Sequence, residues 1–129
     1  MKDLKTREDI EVLVNTFYKK IQSDETIGFF FKDVAKVDWA KHLPIMYDFW
    51  DSILLGSGAY KGNPMQKHFP INAIIPLEKH HFEHWLKIWK ESVYELYSGE
   101  NAETIINKAT NIANLMSYKM DFATKLKEK

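Results

Sequence analysis

The chain has 129 residues, of which 45% are hydrophobic and 28% are charged. This length suits one compact domain with its own core, so we expect residues 1–129 to form a single domain. Basic and acidic residues number 18 each, giving zero formal net charge, and no net field favours nucleic acid or an anionic membrane as a partner. The absence of cysteine excludes disulfides, thiolate metal sites, iron–sulfur clusters and cysteine nucleophiles.

The N-terminal residues 1–11 are charged and lack the apolar core of a signal peptide. The sequence contains no run of about eighteen apolar residues, which a membrane-spanning helix requires. We therefore expect a cytoplasmic protein without membrane contact.

Apolar residues recur at steps of three and four along most of the chain, which predicts helices and leaves no alternating pattern typical of strands. Thr6 followed by Asp9 resembles a capping box at the start of the first helix. Gly28 follows this helix and leaves Phe29, Phe30 and Phe31 in a turn-like segment. The inner face of the helix comprises Ile10, Leu13, Val14, Phe17, Tyr18 and Ile21.

A second helix is predicted to begin at Asp38, a favourable N-cap residue. Pro44 lies too deep for the first turn, so we expect a kink or a non-α first turn there. The inner face of this helix comprises Trp39, His42, Leu43, Met46, Phe49, Trp50, Ile53 and Leu54.

The segment Gly56–Pro76 holds three of the five glycines and three of the four prolines. It leaves room for one short helix over Met65–Phe69, with Asn63 as its cap and Pro64 at its first position. His68 lies in that single turn. A long irregular segment suggests that a ligand organises this part of the chain.

Two further helices complete the predicted all-α architecture. The third follows Pro76 and is closed by Gly99, and the fourth comes directly after it. Their inner positions are Phe82, Trp85, Leu86, Trp89, Val93, Leu96 and Tyr97, followed by Ile105, Ala109, Ile112, Ala113, Met116 and Met120.

The sequence contains no phosphate-binding glycine loop and no nucleophile elbow, so histidines are the main chemical candidates. His80 and His84 are one helical turn apart and could chelate a metal. Because no third ligand of matching pattern is evident, we interpret His80, His81 and His84 as solvated surface residues. A haem-free interaction protein, or a non-haem metal protein using His80 and His84, stays open as an alternative.

By composition alone, His68 would be an ordinary polar loop residue. Its surroundings favour a role as a ligand, because a short proline-bounded turn would present it to a cavity of Phe, Trp and Met side chains. A single imidazole in such a place suits the axial position of a haem iron, whose porphyrin already supplies four nitrogens.

Seven short segments, in this order and spacing, resemble the truncated haemoglobins of group III over roughly residues 10–120. The resemblance implies a globin-like fold, a two-over-two helical sandwich, in which the helix bearing the proximal histidine is reduced to about one turn. It also implies haem b, iron protoporphyrin IX, as the cofactor. The segments are Phe17-Tyr18, Asp38-Trp39-Ala40-Lys41-His42-Leu43, Phe49-Trp50, Leu54-Leu55-Gly56, Tyr60-Lys61-Gly62-Asn63-Pro64, Lys67-His68 and His81-Phe82-Glu83-His84-Trp85-Leu86.

The resemblance implies that His68 is the proximal iron ligand and that Phe31 packs on the haem. It places Tyr18 and Trp85 on the distal side as hydrogen-bond donors. The alternative for these two is an ordinary buried aromatic side chain whose polar tip bonds a backbone carbonyl. His42 is placed at the distal gate, where three roles stay open: donating to the ligand, swinging to open a route to solvent, or coordinating the iron.

Five more residues are predicted to lie near the haem. Met46, Phe49 and Trp50 would form its distal wall, although helical spacing alone would also place them in the core. Tyr60 and Lys67 lie near the loop that would hold the haem propionates.

The first functional hypothesis is a monomeric binding protein for dioxygen or another diatomic ligand, such as carbon monoxide or nitric oxide, that serves oxygen transport. The alternative is a haem enzyme that reduces peroxide or converts nitric oxide to nitrate. Both reactions need external electrons, and the chain has neither a flavin or nicotinamide motif nor spare length for a reductase domain. The enzyme hypothesis therefore requires a separate electron-donor protein.

Overall fold

The protein is described by a computed structural model that covers residues 1–128, with side chains described through residue 127. All regular structure in this range is helical, which confirms the all-α prediction. None of the helices over residues 1–128 combines the length and apolar character needed to cross a membrane. The α-helices are α1 (Arg7–Gln22), α2 (Trp39–Leu55), α3 (Pro64–Ile74), α4 (Lys79–Leu96) and α5 (Glu100–Glu128), with a π-helical turn at Phe30–Val34.

The start of α1 is set by the predicted capping box. The backbone N–H of Asp9 donates to the Thr6 hydroxyl, and the Asp9 carboxylate accepts from the Thr6 backbone N–H, both at 3.2 Å. After α1 the chain folds back so closely that a Cβ atom on Gly28 would lie 2.8 Å from the carbonyl oxygen of Ile21. Gly28 therefore permits the tight return that brings the phenylalanine segment against α1.

Asp38 caps α2 as predicted, because its carboxylate accepts from the Ala40 backbone N–H at 3.1 Å. The alternative of a non-α first turn is wrong, since α2 is α-helical from Trp39 through Pro44, and the kink at Pro44 stays a prediction. Pro44 removes the N–H that would bond the carbonyl of Ala40. Ala40 is exposed, so water can bond that carbonyl, and the helix tolerates the proline.

The start of α3 also agrees with the sequence, since the Asn63 side chain accepts from the Gln66 backbone N–H at 3.2 Å and Pro64 is the first helical residue. The predicted length is wrong. Instead of one turn over Met65–Phe69, α3 has 11 residues and continues through Pro70.

A buried side chain near the end of α3 explains the longer helix. Asn72 donates to the Met120 carbonyl at 3.2 Å and to the Thr124 hydroxyl at 3.1 Å on α5. Its side-chain oxygen accepts from the Leu77 backbone N–H at 2.7 Å. These bonds fasten the last turn of α3 to α5 and offset the weakening at Pro70.

The four long helices pack as two pairs, α1 with α2 and α4 with α5, and α1 also packs on α4. This is the predicted two-over-two arrangement. At its centre the fully buried rings of Phe17 and Trp89 meet edge to face, with centroids 4.9 Å apart. The short helix α3 packs against α5 and the π-helical turn, and a cavity is lined by residues of this turn and of all five α-helices.

Candidate functional site

A cavity of about 400 Å³ lies between these helices, with walls that are predominantly apolar. Its size and lining are typical of a small-molecule or cofactor site. All ten predicted site residues line this cavity: Tyr18, Phe31, His42, Met46, Phe49, Trp50, Tyr60, Lys67, His68 and Trp85.

His68 projects from the second turn of α3 into the cavity. Its Nδ1 lies 2.6 Å from the carbonyl oxygen of Pro64. Because a carbonyl oxygen only accepts, Nδ1 must carry the proton, and Nε2 keeps its lone pair. Burial lowers the pKa of His68 below the usual histidine value, although the bond to Pro64 opposes this shift. The side chain is thus a neutral imidazole with a fixed tautomer, the form that coordinates a metal.

Tyr18 is 5% exposed, and its hydroxyl makes no hydrogen bond within residues 1–128. Burial raises the pKa of Tyr18 well above its ordinary value, so the hydroxyl keeps its proton. The other buried tyrosine, Tyr97, behaves differently, because its hydroxyl donates to the Asp9 carbonyl at 2.9 Å. Tyr18 therefore retains a free donor on the cavity, whereas Tyr97 is the ordinary buried tyrosine that the alternative interpretation described.

Trp85 lines the cavity from α4 and belongs to a group of three indoles. Its ring is parallel to that of Trp89, with centroids 6.0 Å apart, and Trp50 stacks on Trp89 at 4.3 Å. The indole N–H of Trp85 has no acceptor in the described part of the chain. The stack holds the ring in place while its N–H stays available to a ligand.

His42 lies beside Tyr18, with ring centroids 5.3 Å apart. Its Nε2 is buried and has no hydrogen-bond partner among the described residues. Burial, and to a smaller extent the nearby imidazole of His68, lowers the pKa of His42 below the usual histidine value. A buried nitrogen without a hydrogen-bond partner is unfavourable, which indicates that this part of the site suits a polar ligand atom or water.

Tyr60 lines the cavity from the segment between α2 and α3. Its ring packs edge to face on Phe49 at 5.2 Å, and its backbone N–H donates to the Ser52 hydroxyl at 2.9 Å. Lys67 is exposed and forms no ion pair among the described residues. Both can offer donors to an anionic group at the cavity edge.

The structure adds His81 to the cavity lining, which corrects its interpretation as a solvated surface residue. Its Nδ1 accepts from the Glu78 backbone N–H at 2.9 Å, and its ring lies 4.8 Å from that of Phe30. At the start of α4, His81 is the N3 residue of a capping box with Glu78. The sequence did not reveal this role, because Glu or Gln is the usual residue at that position.

His84 is also not a solvated surface residue. Its side chain is 27% exposed, and Nε2 lies 2.7 Å from the Asp24 carboxylate. His80 is exposed. Within residues 1–128 no three His, Cys, Asp or Glu side chains come together as a metal site, so His80 and His84 lack the third ligand that the metal alternative needs.

The residues of the cavity fit a haem. The predominantly apolar walls suit a porphyrin, and the neutral His68, with its fixed tautomer, has one nitrogen that could bind a haem iron. Tyr18, Trp85 and His42 line the same cavity, and their side chains make no hydrogen bond within the described residues. A helical two-over-two fold around such a cavity defines a globin-type haem protein.

Comparison with known proteins agrees with this class. The profile of the family described as "bacterial-like globin" matches residues 3–118. A group 3 truncated haemoglobin of Campylobacter jejuni is 32% identical over 111 residues, which cover 84% of this chain and 85% of that protein. The crystal structure of a group III truncated haemoglobin from Campylobacter jejuni superposes with a TM-score of 0.83 at 31% identity, covering 93% of this chain and 95% of the other. The chain therefore belongs to the bacterial-like globin family, where it groups with the truncated haemoglobins of group III, and it is a haem-binding globin.

Proposed function

We propose that this globin holds haem b through Nε2 of His68 and binds dioxygen, or another small diatomic ligand, beside Tyr18, His42 and Trp85. The observation that carries the proposal is the Tyr18 hydroxyl, which is buried on the cavity yet donates to no atom of residues 1–128. An unpaired buried donor is unfavourable unless a ligand accepts from it.

When bound, haem iron supplies the coordination bond to the diatomic ligand. The contribution of this chain is the polar set around that ligand. Tyr18 and Trp85 each have one free N–H or O–H donor, and a hydrogen bond from such a donor in an apolar cavity is worth about 0.5 to 3 kcal/mol. Two such bonds would slow ligand release while leaving entry largely unaffected.

The position of His42 is compatible with a role as a gate or as a third polar contact to the diatomic ligand. Its neutral ring packs beside the rings of Tyr18 and Trp39, at centroid distances of 5.3 and 5.6 Å. Because Nε2 has no bond to break among the described residues, rotation of this side chain loses only packing contacts. The three roles predicted for His42 are therefore all accessible to the same side chain.

Tyr60 and Lys67 are proposed as contacts of the haem propionates. A phenol and an ammonium group that line the same cavity would hold carboxylates through hydrogen bonds and charge. Burial raises the pKa of Tyr60, so its hydroxyl stays protonated and able to donate.

The test is the visible absorption of the purified protein in ferric, ferrous and ferrous–carbonyl forms. We expect a Soret band that shifts on reduction and again on addition of carbon monoxide, at one haem per chain. A protein that stays colourless after haem is supplied would overturn the proposal and favour the haem-free alternative.

A second candidate function is peroxide reduction or nitric oxide dioxygenation with a separate reductase. The unpaired neutral imidazole of His42 favours it, because such a group can accept or return a proton beside a bound ligand. Steady turnover of peroxide or nitric oxide with a defined reductant, lost in His42→Leu, would support the enzyme. Stoichiometric binding without turnover would support the binding protein.

A further inference from the structure

His84 and Asp24 form a polar contact that has no part in the function proposed above. Nε2 of His84 lies 2.7 Å from Oδ1 of Asp24, and the two side chains are 27% and 18% exposed. Because a carboxylate only accepts hydrogen bonds, Nε2 carries the proton and donates it. The contact joins the start of α4 to the turn after α1, across 60 positions of the chain.

Asp24 is held in place as the acceptor of this bond. Its second oxygen, Oδ2, accepts from the backbone N–H groups of Thr26 and Ile27 at 3.0 and 2.9 Å. Its backbone carbonyl accepts from the N–H of Gly28 at 3.0 Å. Burial opposes ionisation, but the hydrogen bonds from His84 and Ile27 hold the pKa of Asp24 below its usual value. The carboxylate is therefore charged at neutral pH and organises the turn.

This turn begins the segment 24–37, which we name the wall segment. Five of its residues line the cavity: Ile27, Phe30, Phe31, Ala35 and Val37. Its backbone contains the π-helical turn and one left-handed residue, Lys36, with φ at 51°. Because such conformations are unfavourable in isolation, contacts with the rest of the fold are needed to maintain them.

The bond between Asp24 and His84 is the one hydrogen bond within residues 1–128 that joins the wall segment to a helix other than α1. The wall segment also meets α4 through aromatic rings, since the centroids of Phe30 and His81 lie 4.8 Å apart. Apolar packing is non-directional, whereas a charge-assisted hydrogen bond fixes both a distance and an angle. The bond therefore sets the position of the wall segment relative to α4.

We propose that the Asp24–His84 bond is a latch that holds the wall segment against α4 and thereby keeps Phe31 packed on the haem. The inference rests on the haem site proposed above. Neither latch residue lines the cavity, so both are positioning residues that act through the wall segment. Trp85 follows His84 directly on α4 and lines the cavity, so the latch also fixes the wall segment relative to this proposed ligand donor.

The measurable consequence is the rate of haem loss. Without the latch the wall segment is free to move away from α4, which admits water to an apolar haem face and favours dissociation of the haem. Because the latch is a partly exposed pair, its effect is moderate. We expect haem loss to accelerate about fivefold when the latch is removed.

The test is transfer of haem from the ferric protein to an excess of scavenger apoglobin. His84→Leu should release haem about fivefold faster than the wild type. His84→Gln should stay within about twofold of the wild type, because the glutamine amide nitrogen can take the place of Nε2 and donate to Asp24. This rescue distinguishes the latch from a general effect of changing residue 84.

Lys20→Met is the matched control. Nζ of Lys20 lies 2.7 Å from the carboxylate of Glu95, so this change removes an ion pair of the same length between α1 and α4. The pair lies outside the wall segment, and neither residue lines the cavity. Haem release from Lys20→Met should therefore stay within about twofold of the wild type.

A double-mutant cycle tests whether the two latch residues act together. Asp24→Ala removes the latch and the two side-chain bonds to the turn, so it should release haem faster than His84→Leu. Adding His84→Leu to Asp24→Ala should change the rate by less than about twofold, because the acceptor is already absent.

The ferrous–carbonyl Soret band of each protein is recorded before haem transfer. Absence of this band in the wild type would overturn the proposed function and this inference with it. A normal band with wild-type release from His84→Leu would overturn the inference alone. Equal acceleration by His84→Leu and His84→Gln, equal acceleration by Lys20→Met, or additive effects in the double variant would also overturn it.

Discussion

Nδ1 of His68 lies 2.6 Å from the carbonyl oxygen of Pro64, one helical turn earlier in α3. Proline at the first helical position has no N–H to leave unpaired, and its carbonyl fixes the orientation of the imidazole. The start of α3 and the tautomer of His68 thus depend on the same residue. This relationship leaves Nε2 as the nitrogen with a free lone pair.

Replacement of His68 by alanine should remove most of the bound haem, because it removes the nitrogen proposed as the axial ligand. Haem content per chain and the ferrous spectrum measure the effect. His80→Ala is the control, since His80 is exposed and does not line the cavity. Full haem retention with an unchanged ferrous spectrum in the His68 variant would show that another residue holds the iron.

Tyr18→Phe should speed dioxygen dissociation about tenfold or more, because loss of one hydrogen bond of about 1.4 kcal/mol changes an equilibrium tenfold. Stopped-flow displacement of dioxygen by carbon monoxide measures the rate. Tyr97→Phe is the matched control, since its hydroxyl donates to the Asp9 carbonyl and does not line the cavity. Equal release rates in wild type and Tyr18→Phe would remove Tyr18 from the ligand site.

The apoprotein should lose stability as the pH falls from 7 to 5, partly because of His42. Burial lowers the pKa of His42 in the folded protein below its ordinary value of 6.5. As the pH falls, the unfolded chain therefore binds a proton at this residue before the folded protein does, which stabilises the unfolded state relative to the folded state. The stability of the His42→Phe variant should therefore decline less steeply as the pH falls. Part of the decline should remain, because burial also lowers the pKa of His68. Urea unfolding at pH 7, 6 and 5 measures the difference, and parallel curves for the two proteins would contradict it.

Asn72→Ala should destabilise the protein by about 2 to 4 kcal/mol, because it removes one buried and two partly buried hydrogen bonds and leaves their partners unpaired. Since α3 also carries His68, haem loss to a scavenger globin should accelerate. Asn107→Ala on the exposed face of α5 is the control. Haem release and stability that match wild type in the Asn72 variant would show that the extended α3 does not depend on these bonds.

The starts of α1, α2 and α3 were predictable because their signals are local. Thr6, Asp38 and Asn63 each cap a helix by accepting from a backbone N–H within three residues, and such bonds depend only on residue type and spacing. The apolar periodicity likewise predicted the buried faces, because the helical repeat fixes which residues share a side. The ten predicted residues among those that line the cavity were found by resemblance combined with these faces.

The extent of α3 and the surroundings of His84 could not be predicted in this way. Asn72 bonds Met120 across 48 positions, and His84 meets Asp24 across 60. The sequence predicted that α3 ends before Pro70, because proline within a helix removes a backbone hydrogen bond. The bonds to α5 outweigh that preference only after the chain has folded.

The amino-acid sequence by itself determined the helices, their caps and the aromatic and histidine side chains available for a haem. Tertiary structure decided which polar atoms remain unpaired. Tyr18 and Tyr97 are both buried tyrosines, yet only the Tyr97 hydroxyl donates to a carbonyl oxygen, that of Asp9, 88 positions away. Because that difference depends on the path of the whole chain, the free donor at Tyr18 became visible only in the fold.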